Sequence, residues 1–171
     1  MALIKTLLGK TPQFGEKTYI AENATIVGDV VMGKECSIWF NAVIRGDVHY
    51  IKTGNRVNVQ DGAVIHCTYQ KAPTTIGNNV SIGHQAMVHG CTIDDNVLIG
   101  MGAIVMDHVH IHSNCIIAAG AVVLENTIVE ANSIYAGVPA KKVKTLDEAN
   151  TNEIQRIANN YVKYSSWYEG E

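Results

Sequence analysis

A six-residue repeat runs through most of this chain and constrains its fold more than any other feature. From Ile20 the sequence divides into units such as "IAENAT", "IVGDVV", "MGKECS" and "IWFNAV". After an irregular insert, "YQKAPTT", the pattern resumes with "IGNNVS" and "IGHQAM". The first position of nearly every unit is aliphatic, and Gly, Asn and Asp fill the positions where turns need positive φ or side-chain bonds to the backbone.

This period predicts an all-β solenoid. Each unit would form a short strand and a turn of about 120°, so that three units complete a triangular coil and coils stack about 4.8 Å apart. The aliphatic first residue would point into the prism, and the small fifth residue would fill a corner. The predicted fifth-position residues are Ala24, Val30, Cys36, Ala42, Val80, Ala86, Val97, Ala103, Val109, Cys115 and Ala121.

The tail has a helical period instead. Its apolar residues on one helix face are Ile154, Ile157, Ala158, Tyr161 and Val162. "TLDE" at 145–148 and "NTNE" at 150–153 both have the form of a capping box. We therefore expect a β-helix domain with a short N-terminal lead-in over 1–142, and over 143–171 a helix that ends near Tyr164, packs on the prism and precedes a short tail.

Charge and hydropathy narrow the class of protein. The net charge is −3 and no basic cluster stands out, which argues against a nucleic-acid partner. No apolar run is long enough for a signal peptide or a membrane span. The expectation is a cytoplasmic protein with no membrane partner.

The four cysteines, Cys36, Cys67, Cys91 and Cys115, form no C-x-x-C pair and are expected to be reduced thiols. Cys36 and Cys115 fall at corner positions and would be packing residues. Cys67 and Cys91 neighbour a histidine-rich region, so a zinc-thiolate role is an alternative to packing for these two.

Three histidines raise the question of a metal site. His66 lies in "DGAVIHCT", and His84 and His89 lie in "SIGHQAMVHGC". One coil takes about eighteen residues, so His66 and His84 are expected on neighbouring coils near one edge. His84 and His89 fall around a corner from each other, and one prism does not readily converge all three outward side chains. Two prisms side by side could bring the three side chains together, and a cyclic trimer would form three identical sites of this kind at its interfaces.

A second histidine row, His108, His110 and His112, alternates along "DHVHIH" and is expected to share one face. We expect a structural or solvated role for this row rather than a second metal site.

Two resemblances extend this interpretation. Over about residues 12 to 140 the hexads resemble the hexapeptide-repeat, left-handed parallel β-helix proteins. Within them, "IRGDVHYIKTGNRVNVQDGAVIH" and "IGHQAMVHGC" resemble the gamma-class carbonic anhydrases. Three features carry that likeness in this order: "R-G-D", "N-x-Q-D" with a histidine five residues beyond the aspartate, and "G-H-x-x-x-x-H-G".

The resemblance implies a homotrimer with a metal ion at each interface, bound by His66 and His89 of one subunit and His84 of its neighbour. Zn²⁺ is the expected ion, with Fe²⁺ or Co²⁺ as alternatives. The further site residues that it implies are Gln60 at the metal-bound water, Arg45, Asp47 and Asp61 in a polar interface network, and Asn58 and Tyr135 lining the pocket.

The implied reaction is attack of metal-bound hydroxide on CO₂ to give bicarbonate. Three neutral imidazoles leave zinc its full charge and an open position for water. That charge lowers the pKa of the water to about 7, and a nearby arginine stabilises the developing anion.

The sequence departs from the family in the acidic residues that carry protons away. Val48 and His49 follow the "RGD" aspartate where an acidic residue is expected, and the loop "CTYQKAPTT" has no carboxylate. His49 is the expected substitute, since the pKa of an unperturbed histidine is about 6.5.

Two other functions compete with this one. A hexapeptide-repeat acyltransferase would share the prism and the terminal "AGVPAK", but would use one catalytic histidine with coenzyme A along the coil edge. A metal-binding trimeric scaffold, or a hydrolase with little hydration activity, would keep the ion without rapid turnover.

Overall fold

The computed structural model describes residues 1–168 and shows stacked parallel coils that form a three-faced prism, with one helix docked on it. This confirms the predicted solenoid with a C-terminal helix. Within the described residues, twenty short strands form a twelve-stranded sheet that wraps around two faces and an eight-stranded sheet on the third. Nearly all pairings are parallel, as stacking of successive coils requires.

The three faces are defined by their strands. Face A contains β1 (Leu3–Lys5), the first halves of β4 (Thr25–Met32) and β6 (Val43–Thr53), β8 (Val64–His66), β11 (Met87–His89), β14 (Ile104–Val105) and β17 (Val122–Val123). Face B contains β2 (Gln13–Phe14), the second halves of β4 and β6, β9 (Thr74–Ile76), β12 (Thr92–Ile93), β15 (His110–Ile111) and β18 (Ile128–Val129). Face C contains β3 (Tyr19–Ile20), β5 (Ser37–Ile38), β7 (Asn58–Val59), β10 (Ser81–Ile82), β13 (Val97–Ile99), β16 (Cys115–Ile117), β19 (Ser133–Ala136) and β20 (Lys141–Thr145).

The core consists of the aliphatic first residues of the hexads, stacked in columns. Ile26 and Ile44 follow each other on face A, and Ile82 and Ile99 on face C, all completely buried. The predicted fifth-position residues are buried as well, because the wall bends inward at each corner. The hexad pattern therefore identified most of the inside of the prism, but near its end the phase is off by one residue, since Ile128 is 56% exposed and Val129 is completely buried.

Asparagines turn several of the corners. Asn41, Asn96 and Asn114 adopt left-handed φ values of 59°, 58° and 58°, which asparagine tolerates better than most residues. Their side chains bond to asparagines one coil away, for example Asn114 Nδ2 to Asn132 Oδ1 at 3.1 Å. These contacts add a polar ladder outside the apolar core.

The tail begins differently from the prediction. Strand β20 pairs antiparallel with β19 and crosses the expected boundary at residue 142. Because this strand continues to Thr145, the helix α1 (Glu148–Ser165) is capped by Asp147, whose box partner is Asn150. Neither predicted capping box is the one that forms.

The rest of the helix prediction is confirmed. Helix α1 ends one residue beyond Tyr164 and is followed by a 3-10 turn, Ser166–Tyr168. Ile154 and Ala158 are buried against the prism, where α1 contacts β5 and β10. Within residues 1–168, no helix is long and apolar enough to cross a membrane. The end of the predicted tail, 169–171, lies outside the described residues.

Gly15, Gly33, Gly54 and Gly77 form a column at one corner, where successive coils approach too closely for a Cβ atom. A Cβ on Gly33 would lie 2.5 Å from the carbonyl oxygen of Gly54 on the next coil. Gly33→Ala is therefore expected to lower the free energy of unfolding by about 1–3 kcal/mol, the range typical of overpacking. Thermal or urea denaturation measures it. Gly120→Asn is the control, since Gly120 has positive φ and open space around it, and equal stability loss in both variants would contradict the explanation.

Candidate metal centre

His66 and His89 lie side by side at one end of face A. They are register partners on β8 and β11, and His66 Nδ1 lies 3.0 Å from His89 Nε2. The expectation that His84 would be the neighbour of His66 was wrong. The insert after β8 lengthens this coil, so that 23 residues separate the neighbouring pair instead of the usual eighteen or so.

A carboxylate holds the outer nitrogen of each ring. His66 Nε2 donates to Asp47 Oδ1 at 3.0 Å, and His89 Nδ1 donates to Asp107 Oδ1 at 2.5 Å. When both outer nitrogens carry the proton, neutral rings present two lone pairs to each other across 3.0 Å. A cation between the rings would satisfy both lone pairs, as would a proton on one inner nitrogen, and two nitrogens bound to one tetrahedral zinc lie roughly 3.3 Å apart. The pair therefore fits a divalent metal.

The local electrostatics support the same protonation states. Burial lowers the pKa of His66 below its ordinary value and outweighs the opposing hydrogen bond to Asp47, which favours the neutral ring that a metal needs. Burial raises the pKa of Asp47, but bonds from His66 and Arg45 outweigh it, and the net pKa is lowered. Bonds from Thr68 and His89 lower the pKa of Asp107 against the same burial effect.

His84 lies at the other end of the same strands. It sits in the turn before β11, and its Nδ1 contacts Asp61 Oδ2 at 2.9 Å. His89 ends β11, so the two histidines lie before and at the end of one strand, and His84 bonds to Asp61 while His89 bonds to Asp107. His84 therefore does not meet His66 and His89 within one chain. Its side chain is 41% exposed and free to contact a neighbouring molecule.

Gln60 faces an apolar pocket beside His84. The pocket has a volume of about 350 Å³, and its walls include Leu98, Ile116 and Tyr161. Gln60 Nε2 donates to Asn58 Oδ1 at 3.0 Å, and Asn58 Nδ2 donates to Ser81 Oγ at 2.8 Å. This buried relay uses amide donors of both residues and orients the carboxamide of Gln60.

Tyr161 was not predicted as a pocket residue. Burial, with the charge of Asp61 adding to it, raises the pKa of Tyr161 to about 12. Its hydroxyl therefore stays protonated beside His84 and Gln60 at neutral pH. From the helical period alone, Tyr161 was expected only on the packing face of the helix.

Arg45 and Tyr135 lie in different surroundings. Arg45 precedes His66 in the same column of face A, is half-exposed and bonds to Asp47. Tyr135 belongs to the buried core on β19, four strands from β7, or about 19 Å at 4.8 Å per strand. Within one chain, Tyr135 is therefore too far along the stack of coils to contact Gln60, which follows β7.

The four cysteines are free and buried. Cys67 and Cys91 are 1% and 2% exposed and belong to the core cluster, whereas the histidines stand on the outer surface. Burial raises the pKa of both thiols, which disfavours a thiolate. Their packing role fits the structure, and the zinc-thiolate alternative does not.

Two acidic residues near His89 were missed from the sequence. Asp107 lies one coil above His89, eighteen residues along the chain, and that spacing is the signal that would have revealed it. Glu125 lines a groove of about 330 Å³ together with Asp107 and His89. Because Glu125 lies one more coil beyond Asp107, no local sequence motif connects it with His89. His49, the expected proton carrier, packs its ring against Tyr50, and its Nδ1 accepts a hydrogen bond from the Tyr50 amide at 2.9 Å.

Comparison with known proteins agrees with the fold. The family model "Bacterial transferase hexapeptide (six repeats)" matches residues 73–105 and 90–125. A solved structure, a hexapeptide transferase family protein from Anaplasma phagocytophilum, has a TM-score of 0.93 at 37% identity and covers 97% of this chain and 98% of that one. The fold and the surface histidine pair thus define a hexapeptide-repeat solenoid with a candidate metal centre.

Sequence relatives narrow the class further. A protein named carbonic anhydrase from Geobacillus kaustophilus is 47% identical over 94% of this chain and 88% of its own length. Protein YrdA of Escherichia coli is 39% identical over 92% of this chain and 89% of its own. The chain belongs to the gamma-class carbonic anhydrase family of hexapeptide-repeat proteins.

Asp107 gives a direct test of the histidine geometry. Asp107→Asn is expected to weaken Co²⁺ binding at the His66–His89 pair by about 10- to 100-fold, because the carboxylate orients His89 and raises its basicity. Titration of chelator-treated protein, followed by cobalt absorption, measures the change. Glu125→Gln, in the same groove without a bond to His89, is the control. Unchanged affinity in Asp107→Asn would refute the assigned role.

Proposed function

We propose that the chain is a metal-dependent carbonic anhydrase that interconverts CO₂ and bicarbonate as a homotrimer. The observation that carries the proposal is the His66–His89 pair, whose inner nitrogens face each other at 3.0 Å while carboxylates hold the outer ones. His84, with Asp61 behind it, would complete the ligand set from a second copy. Zn²⁺ is the proposed ion, and the donor set also suits Fe²⁺ or Co²⁺.

The layout of face A supports a cyclic assembly. His84 lies in the turn before β11, and His66 and His89 end β8 and β11, so a head-to-tail contact between two copies would join the two groups. Repetition of that contact would close a trimer if each copy is rotated by about 120° from the last. Between the two ends, Met87 and Ile104 are 36% and 40% exposed, although they lie in the middle of a sheet. An interface over face A would remove this apolar surface from water.

The same contact between copies would also bring Arg45 and Asp61 together. Arg45 lies one coil below His66, and Asp61 lies one coil below His84, at the opposite end of the face. A contact that brings His84 to His66 therefore brings Asp61 toward Arg45. Both side chains are more than 40% exposed in the single chain, as partners in an interface ion pair would be.

The pocket beside His84 suits a small apolar substrate such as CO₂. Its surface is mostly aliphatic, and Gln60 and the Tyr161 hydroxyl supply polar atoms. Because an amide hydrogen of Gln60 is committed to Asn58, its carbonyl oxygen is available to accept a hydrogen bond from an attacking water. Gln60 would thereby orient the lone pair of that water toward the carbon of CO₂.

The remaining roles follow from charge. A divalent ion held by His66, His84 and His89 would lower the pKa of a water molecule to about 7 and so supply the nucleophile at neutral pH. Arg45 would stabilise the negative charge that develops on the CO₂ oxygens and the bicarbonate product. Asp47 and Asp107 would keep His66 and His89 in the tautomers that bind an ion.

Glu125 is proposed to carry protons from the site to solvent. It is exposed and shares a groove with His89, and it supplies the carboxylate that the loop after His66 lacks. Glu125→Gln is expected to lower the maximal hydration rate on the order of 100-fold without loss of metal, because a positioned proton acceptor contributes about that factor. Stopped-flow hydration assays measure it, and high imidazole buffer should restore the rate. A rate that is normal in dilute buffer would exclude this role.

Mixed trimers test the shared site. His84→Ala and His89→Ala should each abolish metal binding at the shared interface site, and with it the activity. Refolded together in equal amounts, they should regain activity at about one quarter of the interfaces, where each chain supplies what the other lacks. Metal content and CO₂ hydration of purified mixed trimers give the result.

The matched control mixes His66→Ala with His89→Ala. Both substitutions affect the same side of the interface, so no pairing of these chains restores a complete ligand set. Recovery in this control, or none in the first mixture, would overturn the divided site.

Arg45 tests the assembly. Arg45→Ala is expected to weaken each interface by about 3–5 kcal/mol, because it leaves Asp61 buried without a partner charge. Analytical ultracentrifugation over a concentration series measures the dissociation. Lys34→Ala removes an exposed ion pair with Glu16 and should leave assembly unchanged. A stable Arg45→Ala trimer at low concentration would contradict the proposed pair.

Acyl transfer is the competing function, favoured by the transferase names of the family model and of the Anaplasma phagocytophilum relative. It predicts binding of coenzyme A and activity without metal. Calorimetric titration with acetyl-coenzyme A and hydration assays before and after chelation separate the two. Bound metal with neither activity would instead indicate a scaffold.

A further inference from the structure

A second group of metal-binding side chains lies on face B. His110 Nε2 donates to Asp94 Oδ1 at 3.0 Å, and His112 Nδ1 donates to Asp94 Oδ2 at 3.1 Å. The two imidazole rings are 4.1 Å apart, and the three potential ligand atoms lie within 4.8 Å of one another. Two imidazoles thus converge on one carboxylate.

The coil places these residues on rigid backbone. His110 and His112 are two residues apart in an extended segment, so both point outward while Ile111 between them is completely buried. The amide of Asp94 donates to the carbonyl of Ile111 on the next coil, at 2.9 Å. Asp94 therefore stands opposite the gap between the two histidines.

His108 does not join them, contrary to the expectation that all three histidines of the row share a face. It lies in the corner turn with a φ of 58°. The left-handed corner after β14 redirects its side chain before β15 begins. Only the second and third histidines of the row belong to the cluster.

The ligand types and spacing suit a transition-metal ion. Two imidazoles and one carboxylate are a common set for Zn²⁺ and related ions, whereas Mg²⁺ and Ca²⁺ prefer oxygen ligands alone. The distances of 3.0 and 3.1 Å from each imidazole nitrogen to its Asp94 oxygen are close to the roughly 3.3 Å between two ligands of one tetrahedral ion. Binding would require each neutral ring to carry its proton on its other nitrogen, and the three ligand atoms, which lie within 4.8 Å of one another, to close around the ion.

The cluster is also accessible and charged. The three side chains are between 35% and 40% exposed, and Asp94 borders an open groove of about 520 Å³ along face B. Burial raises the pKa of Asp94, but the bonds from His110 and His112 outweigh it, and the net pKa is lowered. Asp94 is thus a carboxylate at neutral pH.

We propose that Asp94, His110 and His112 bind a divalent transition-metal ion at a site separate from His66, His84 and His89. The ion would tie the coil of β12 to the coil of β15 and so stabilise the native state by binding to it alone. The proposal does not depend on the proposed hydration activity. It rests on side chains of face B, whereas the candidate catalytic centre uses the two ends of face A.

The test isolates this site in a His84→Ala background. Chelator-treated protein is titrated with Co²⁺, followed by visible absorption, and then with competing Zn²⁺ by calorimetry. We expect about one ion per chain with half-saturation in the micromolar range, and a melting temperature that rises with added metal. In the same background, His110→Asn combined with His112→Asn should abolish the cobalt bands and the rise in melting temperature. His108→Asn, a histidine replaced in the same row outside the cluster, should abolish neither.

If His84→Ala fails to fold, the wild-type protein provides the same test. It should bind about two ions per chain, and the double His110→Asn/His112→Asn variant about one, with CO₂ hydration unchanged. Equal stoichiometry in wild type and double variant, or binding only at millimolar metal, would overturn the proposal.

Discussion

The hydrogen bonds between successive coils are the interaction on which the rest of the molecule depends. Each outward side chain has a fixed neighbour about 4.8 Å above and below it, whatever the sequence distance between them. That spacing sets His66 beside His89 and places Asp94 against His112. Rigid strands, rather than flexible loops, therefore hold both groups of histidines, and small corner residues keep the strands in register.

The ends of face A give the proposed activity its geometry. One end carries two imidazoles with carboxylates behind them, and the other carries His84 with Asp61 behind it. On this proposal neither end is a site by itself, so assembly and metal binding are one equilibrium. Assembly would then also cover the apolar side chains of face A and the pocket beside His84.

The hexads predicted the solenoid, the buried columns and the corner residues, because each depends only on local pattern. Neighbour relations across coils were less predictable. The insert after β8 shifted the register, so His89 rather than His84 lies beside His66. Asp107 was missed because its relation to His89 spans a coil and forms no motif. Tyr135 was placed in the pocket on resemblance alone, and its position in the inward column sends it into the core.

The antiparallel strand β20 has a consequence for the prism as a whole. A parallel solenoid ends in a coil whose unpaired backbone groups are a template for further strands. On face C that edge is occupied by Lys141–Thr145, which runs in the opposite direction and is exposed throughout its length. Its three lysines and reversed polarity make a poor template for another coil. The antiparallel direction of β20 and the positive charge of its lysines therefore both oppose end-to-end stacking of a second prism on this face.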